Sequence, residues 1–301
     1  MRAVWSFWSR PHRLYYHRLW RSDRAHLLCW ALSVAEAARH FEEACLIADD
    51  AGAELLVERL GLPFTHVSTD LEGLNREAAD PLWWVLGKLS AYAAQEKPFV
   101  HLDADVILWK PLPARLLNAP LLAQNPEHFD FEDQSLYRPD NFMAAIGVLG
   151  GWLPPAWRRY AEAQRNGAVC CGILGGADVD FLGRYSRTAI AIIRDPRNQP
   201  VWERIGAVRD NILVEQYFLA ALLEAEGQPQ RIEHLFPSST DAFDPRQAER
   251  AGFTHLIGDA KADPEIADRL EARVRATHPE LYERCVEVAH EGESAAAPQP
   301  V

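Results

Sequence analysis

The strongest constraint on this chain is the stretch FVHLDADVILWKPL, residues 99–112. Phe99, Val100, His101 and Leu102 form an apolar run introduced by Pro98, the pattern of a buried strand. Asp103 and Asp105 follow one residue apart, and Val106, Ile107, Leu108 and Trp109 resume the apolar run at once. A buried charge is costly unless it is paired or bound to metal. Within one strand, residues i and i+2 share a face, so the two carboxylates are expected to converge on one cation. Mg2+ or Mn2+, held by oxygen ligands, would account for them. The alternative is a pair of strand-end acids that cap a turn or pair with Lys110.

The segments around this stretch set the fold class. AVWSFW (3–8), ACLIAD (44–49) and PFTHVS (63–68) predict three strands before it. Ser22 is placed to cap a helix running to about Phe41, with Leu27, Trp30, Ala31, Val34 and Ala38 on one face. A short helix ends near Gly61, and another covers Leu82 to Gln95. Strands alternating with helices predict an α/β fold, a Rossmann-like and mostly parallel sheet flanked by helices. Ligands of such sheets bind at the carboxyl ends of strands, where Asp103 lies. Further on, residues 126–143 read as a polar loop or insertion. Val169–Leu174 predicts a strand entering Gly175-Gly176, and Phe253–Ile257 predicts a last one. Helices are expected from about Asp178, over Ile212 to Glu226, and from Pro264 to about His290. The whole is expected to be one domain over residues 1–290. Residues 291–301 lack core formers and are expected to be disordered.

The net charge of -12 argues against a nucleic-acid partner, which needs a basic footprint. It does not forbid an anionic small substrate. Five cysteines, an odd number with no CxxC pair, predict reduced thiols. The N-terminus MRAVWSFWSR has no long apolar segment, and the uncharged stretch 143–157 is broken by glycines and prolines. A cytoplasmic protein without a transmembrane segment is expected. One local exception to the acidic balance is RPHRLYYHRLWRSDR (10–24), with five arginines among aromatics directly after the first strand. It could border an anion or acceptor site, make peripheral contact with anionic membrane, or be a solvated loop. A second Asp-x-Asp, Asp178-Val179-Asp180, follows two glycines at a helix start. A helix N-cap and a first-turn acid explain it without a ligand.

VHLDADVILWKPL resembles the DxD strand of metal-dependent GT-A-fold glycosyltransferases. It is most similar to the retaining, glycogenin-like enzymes of glycosyltransferase family eight. THLIGDAK (254–261) resembles that family's HxxGxxK motif through His255, Gly258 and Lys261. The resemblance implies that Asp103, Asp105 and His255 hold Mn2+ or Mg2+, with Asp103 also near the donor. It further implies that the Gly258 backbone and Lys261 hold the diphosphate of a nucleotide-sugar donor, with a UDP-sugar expected. Simple chemistry agrees: imidazole suits Mn2+, glycine admits close backbone approach, and lysine supplies a point charge to phosphate. Lys88 matches a basic residue that touches the donor in relatives. Glu215 and Gln216, in VEQY (214–217), match an Asp-Gln pair near the reacting sugar, with Glu in place of Asp. A surface lysine and a solvated helix face are the plainer alternatives for these three.

Two departures stand out. In VCCGILGG (169–176), Cys171 occupies a place where the family often has Asn, and Ala262-Asp263 replaces the usual Pro-Trp after the lysine. These point to a divergent bacterial-type branch. In the terms of the resemblance, residues 1–125 form a nucleotide-binding half, 126–262 an acceptor and donor half, and 263–290 a C-terminal helix. The expected function is transfer of a sugar, with retention, to an acceptor that could be glycan, peptide or small molecule. The alternatives are a nucleotidyltransferase or sugar-nucleotide hydrolase, and a catalytically inactive nucleotide-binding scaffold.

Overall fold

Apolar strands with cores on both faces alternate in a two-residue period, and the first strand shows it. Ala3, Trp5 and Phe7 enter one core, while Val4 enters the other, together with Cys45 and Ile47 of the neighbouring strand. The computed structural model describes residues 1–132, 137–206 and 210–296. Its strands are β1 (Arg2–Phe7), β2 (Ala44–Ala48), β3 (His66–Ser68), β4 (Phe99–Leu102), β5 (Val106–Leu108), β6 (Leu121–His128), β7 (Gly167–Gly176), β8 (Ile232–His234) and β9 (Phe253–His255). Seven of them form one sheet in the order β3-β2-β1-β4-β7-β6-β8. β3, β2, β1 and β4 run parallel, β7 is antiparallel to both of its neighbours, and β6 pairs in parallel with β8. The fold is therefore α/β with a mostly parallel sheet flanked by helices, as the strand and helix alternation predicts.

Helices cover both faces. Val85–Ala93 and Val179–Arg194 pack together against one core. Asp23–Ala37 packs on the other, beneath Pro264–Thr277 and Pro279–Ala296. Ser22 does cap the first of these, its hydroxyl accepting from the Ala25 N–H at 3.1 Å. That helix stops at Ala37, however, and it is buried all round from Ala25 to Ala37. The two C-terminal helices and β5 cover the sides that would otherwise meet water, so the helix is enclosed all round and not along the one expected face.

The second half departs most from expectation. β6 continues to His128, and a helix begins at Pro139, so only the middle of the expected 126–143 loop is free of regular structure among the described residues; residues 133–136 lie outside them. The last helix reaches Ala296, past the expected end near His290. The disorder expected after it falls partly on residues 297–301, outside the described residues.

The apolar run 99–109 is not one strand. β4 ends at Leu102, and Asp103, Ala104 and Asp105 form a tight turn closed by the Val106 N–H donating to the Asp103 carbonyl at 2.9 Å. β5 then leaves the main sheet and pairs antiparallel with β9, setting Val106 opposite His255. The Leu256 N–H donates to the Asp105 carbonyl at 3.0 Å and locks that register. The turn, rather than strand periodicity, brings the two acids together, and β9 delivers the histidine.

Candidate active site

Asp103, Asp105 and His255 come from a strand-end turn and a distant strand, yet their ligand atoms all lie within 4.8 Å of one another. His255 Nδ1 sits 2.7 Å from Gln124 Oε1 on β6. A carbonyl oxygen only accepts, so Nδ1 carries the proton and the Nε2 lone pair points the other way. Nε2 then faces Asp105 Oδ1 at 3.5 Å. Two acceptors face each other there, an arrangement favourable only with a cation or a proton between them. Gly172 on β7 makes room for the imidazole: a Cβ there would lie 2.2 Å from Gln124 Oε1 and 2.5 Å from His255 Cε1.

Two lysines flank the acids. Lys261 Nζ lies 2.6 Å from Asp105 Oδ2. Gly258 starts the 3-10 turn Gly258–Lys261 in the left-handed region, at φ +57°, and that turn returns the lysine to the site. Lys88, buried on the helix Val85–Ala93, lies 2.9 Å from Asp103 Oδ1, 2.8 Å from Glu215 Oε1 and 3.3 Å from the Cys171 carbonyl. Cys171 thus meets Lys88 through its backbone, and its thiol donates to the Val169 carbonyl at 3.2 Å.

Glu215 is fully buried in a wide π-type turn, Leu213–Tyr217, that aims it inward. The Tyr92 hydroxyl donates to its Oε1 at 3.1 Å, while Oε2 is buried with no hydrogen-bond partner. The solvated-face alternative fails for Glu215, and the surface alternative fails for Lys88. Gln216 points elsewhere: its Oε1 and a Glu127 carboxylate oxygen both contact the Tyr137 hydroxyl, whose single proton goes to one or is shared between them. Among the described residues, then, Lys88, Asp103, Asp105, Glu215, His255 and Lys261 are brought together by direct contacts, Gly258 adjoins through its turn, and Gln216 belongs to a neighbouring polar group.

Burial would raise the Asp105 carboxyl, but the Lys261 ammonium outweighs it, joined by His255 when that imidazole is protonated, and holds the group well below the usual carboxylate range. At Asp103 burial wins, helped by Asp105, and its pKa rises despite Lys88. Glu215 is likewise raised by burial against the pull of Lys88. Burial works to lower both lysines, yet the carboxylates beside them prevail and raise them. With all five charged, three carboxylates face two ammoniums and one negative charge is left over. One divalent cation would reverse that sign and leave the centre attractive to an anion. Two carboxylates and a neutral imidazole within mutual reach also suit Mn2+, or Mg2+ with less ease at the nitrogen.

A cavity of about 290 Å³ opens beside these groups, at the carboxyl ends of β1 and β4. Trp8, His12, Tyr16, Trp20, Trp30 and Trp84 line it together with Lys88, Asp103, Asp105 and Lys261. The arginine-rich stretch after β1 therefore borders the site and supplies several of its aromatic walls. Gln124, Gly172 and Tyr92 escaped the sequence reading. Gln124 lies in a strand that polar residues disguise, and nothing local marks the other two.

Two solved structures are similar in outline. One is galactosyltransferase LgtC in complex with donor and acceptor sugar analogues, at 16% identity and TM-score 0.39, covering 94% of this chain and 95% of that one. The other is an active-site glutamine-to-glutamate variant of LgtC, at 16% identity and TM-score 0.41, covering 95% and 100%. At these scores neither likeness bears on the chemistry, which the residues themselves must carry. No curated protein matches the sequence. The sequence does match the model of a family of unknown function (DUF6734) over residues 1–288, and the chain therefore belongs to that family.

Proposed function

We propose that this protein is a metal-dependent glycosyltransferase that moves a sugar from a nucleotide diphosphate donor, a UDP-sugar, to an acceptor with retention of configuration. The observation that carries the proposal is the facing pair of acceptors, His255 Nε2 and Asp105 Oδ1, beside Asp103 and between two lysines. The motif resemblance supplies the GT-A reading, the donor and the stereochemistry. Asp103, Asp105 and His255 would hold Mn2+ or Mg2+, which supplies Lewis-acid compensation of the charge growing on the leaving diphosphate.

The chain's own residues have separable tasks in this scheme. Lys261, 22% exposed at its side chain, can exchange Asp105 for a phosphate oxygen as the charge balance of the carboxylate changes. Gly258 offers backbone with no side chain in the way. Lys88 is a fixed charge, because Glu215 and Tyr92 hold it and its partner from below. Glu215 therefore acts as a positioning residue for Lys88. The aromatic cavity has the size and walls for a nucleobase ring system. Gln216 lies in the neighbouring polar group with Tyr137 and Glu127, and its role as a contact to the donor sugar rests on the motif resemblance alone.

The test is a panel of nucleotide sugars incubated with the protein and Mn2+. Release of UDP with a glycosylated product is expected. Sugar 1-phosphate as the product would instead assign nucleotidyl chemistry, and release of UDP with free sugar would assign hydrolysis. UDP binding without turnover across the panel would leave an inactive nucleotide-binding scaffold.

A further inference from the structure

We propose that the rim of the cavity formed by residues 10–21 docks on an anionic lipid surface. The segment is two-sided. Pro11, His12, Tyr16 and Trp20 face the cavity. On the outside, Leu14 and Tyr15 are 49% and 46% exposed, and Leu19, 51% exposed, stands at the cavity mouth, an unusual concentration within six residues. The Arg21 N–H donates to the Lys261 carbonyl at 2.9 Å, tying this segment to the turn that Ile257, also exposed, precedes. One rim thus gathers four large apolar side chains in water.

The same rim is basic in an acidic protein. Residues 10–24 carry five arginines against one aspartate, in a chain of net charge -12. Arg13, Arg18 and Arg21 are exposed and make no ion pair among the described residues; Arg24 does, reaching Glu271 at 3.1 Å. Interleaved arginines and apolar side chains match a lipid surface, where headgroups take the charges and the acyl boundary takes the Leu and Tyr groups. A soluble polyanion would engage the arginines and leave Leu14, Tyr15 and Leu19 in water. Docked this way, the cavity mouth meets the headgroup layer, and an acceptor carried by a lipid would lie within reach. The docking itself stands apart from the transferase reading and is measured without any donor.

The experiment is co-sedimentation of the full chain with vesicles of phosphatidylcholine alone and of phosphatidylcholine mixed with phosphatidylglycerol. Binding to the anionic vesicles only is expected, weakened by salt. Arg13→Ser, Arg18→Ser and Arg21→Ser should each lower the partition coefficient by roughly fivefold. Leu14→Ser with Tyr15→Ser should lower it as well, at unchanged charge, with melting temperature and circular dichroism confirming that each variant is folded. The proposal is overturned by equal or absent binding to both vesicle types. It is also overturned if the Leu14 and Tyr15 changes have no effect while heparin displaces the protein, which would mark a general polyanion surface.

Discussion

The chain contains two Asp-x-Asp triplets, and the structure gives them different work. Asp178 caps the helix Val179–Arg194, accepting from the Phe181 N–H at 2.9 Å, and it pairs with Arg231. Asp180 lies in the first helical turn, exposed, where the helix dipole suffices to explain it. Asp103 and Asp105 share instead a largely buried turn with His255 and two lysines. The triplet alone does not distinguish these cases. The flanks do: glycines before a helix at one, and apolar runs on both sides at the other. Acids without nearby backbone donors to cap must find cations, and here they find lysines, with room for a metal.

This contrast can be broken by mutation, starting with the largest effect. Asp105→Asn removes a charge from the proposed metal site and should weaken Mn2+ binding by more than about 100-fold, beyond the 10–100-fold typical of outer partners. Asp180→Asn should leave it unchanged. Manganese titration followed by paramagnetic resonance reads both. An equal loss in the two variants would mean that metal affinity reports overall stability and not a site.

The next effect is smaller. Gln124→Leu removes the acceptor that fixes the His255 tautomer and should weaken Mn2+ binding by roughly 10–100-fold, while Gln124→Glu, still an acceptor, should keep it. Gly172→Ala should mimic the Leu variant by crowding the same imidazole. If Gln124→Leu binds Mn2+ as well as the parent protein, His255 is oriented by something else. The smallest effect falls on the other triplet. Asp178→Ala should cost about 1 kcal/mol of stability, through its cap, and leave Mn2+ affinity intact. Denaturant unfolding and the same manganese titration check the two halves of that statement.

Much of the parallel half was legible in the sequence, since β1, β2 and β4 are short apolar runs bounded by turn residues. The strand content of 121–128 was not, because Gln124, Asn125 and Pro126 interrupt its pattern and its pairing with β7 carries a bulge. Asp103, Asp105, His255 and Lys261 could be picked out by residue type and order. How they meet could not, since the turn at 103–106 and the β5-β9 ladder are long-range pairings without a local signal. Glu215 illustrates the same limit. Its place in VEQY suggested a reacting face, but only packing reveals that Lys88 and Tyr92 take its inner oxygen.

The account turns on whether the Asp103, Asp105 and His255 centre joins a metal to a diphosphate, and calorimetric titration of UDP tests this most directly. With Mn2+ present, UDP should bind at least about tenfold more tightly than in EDTA, a gap of about 1.4 kcal/mol or more, and Asp105→Asn should abolish the gap. Equal UDP affinity with and without Mn2+, or a gap that survives Asp105→Asn, would contradict it.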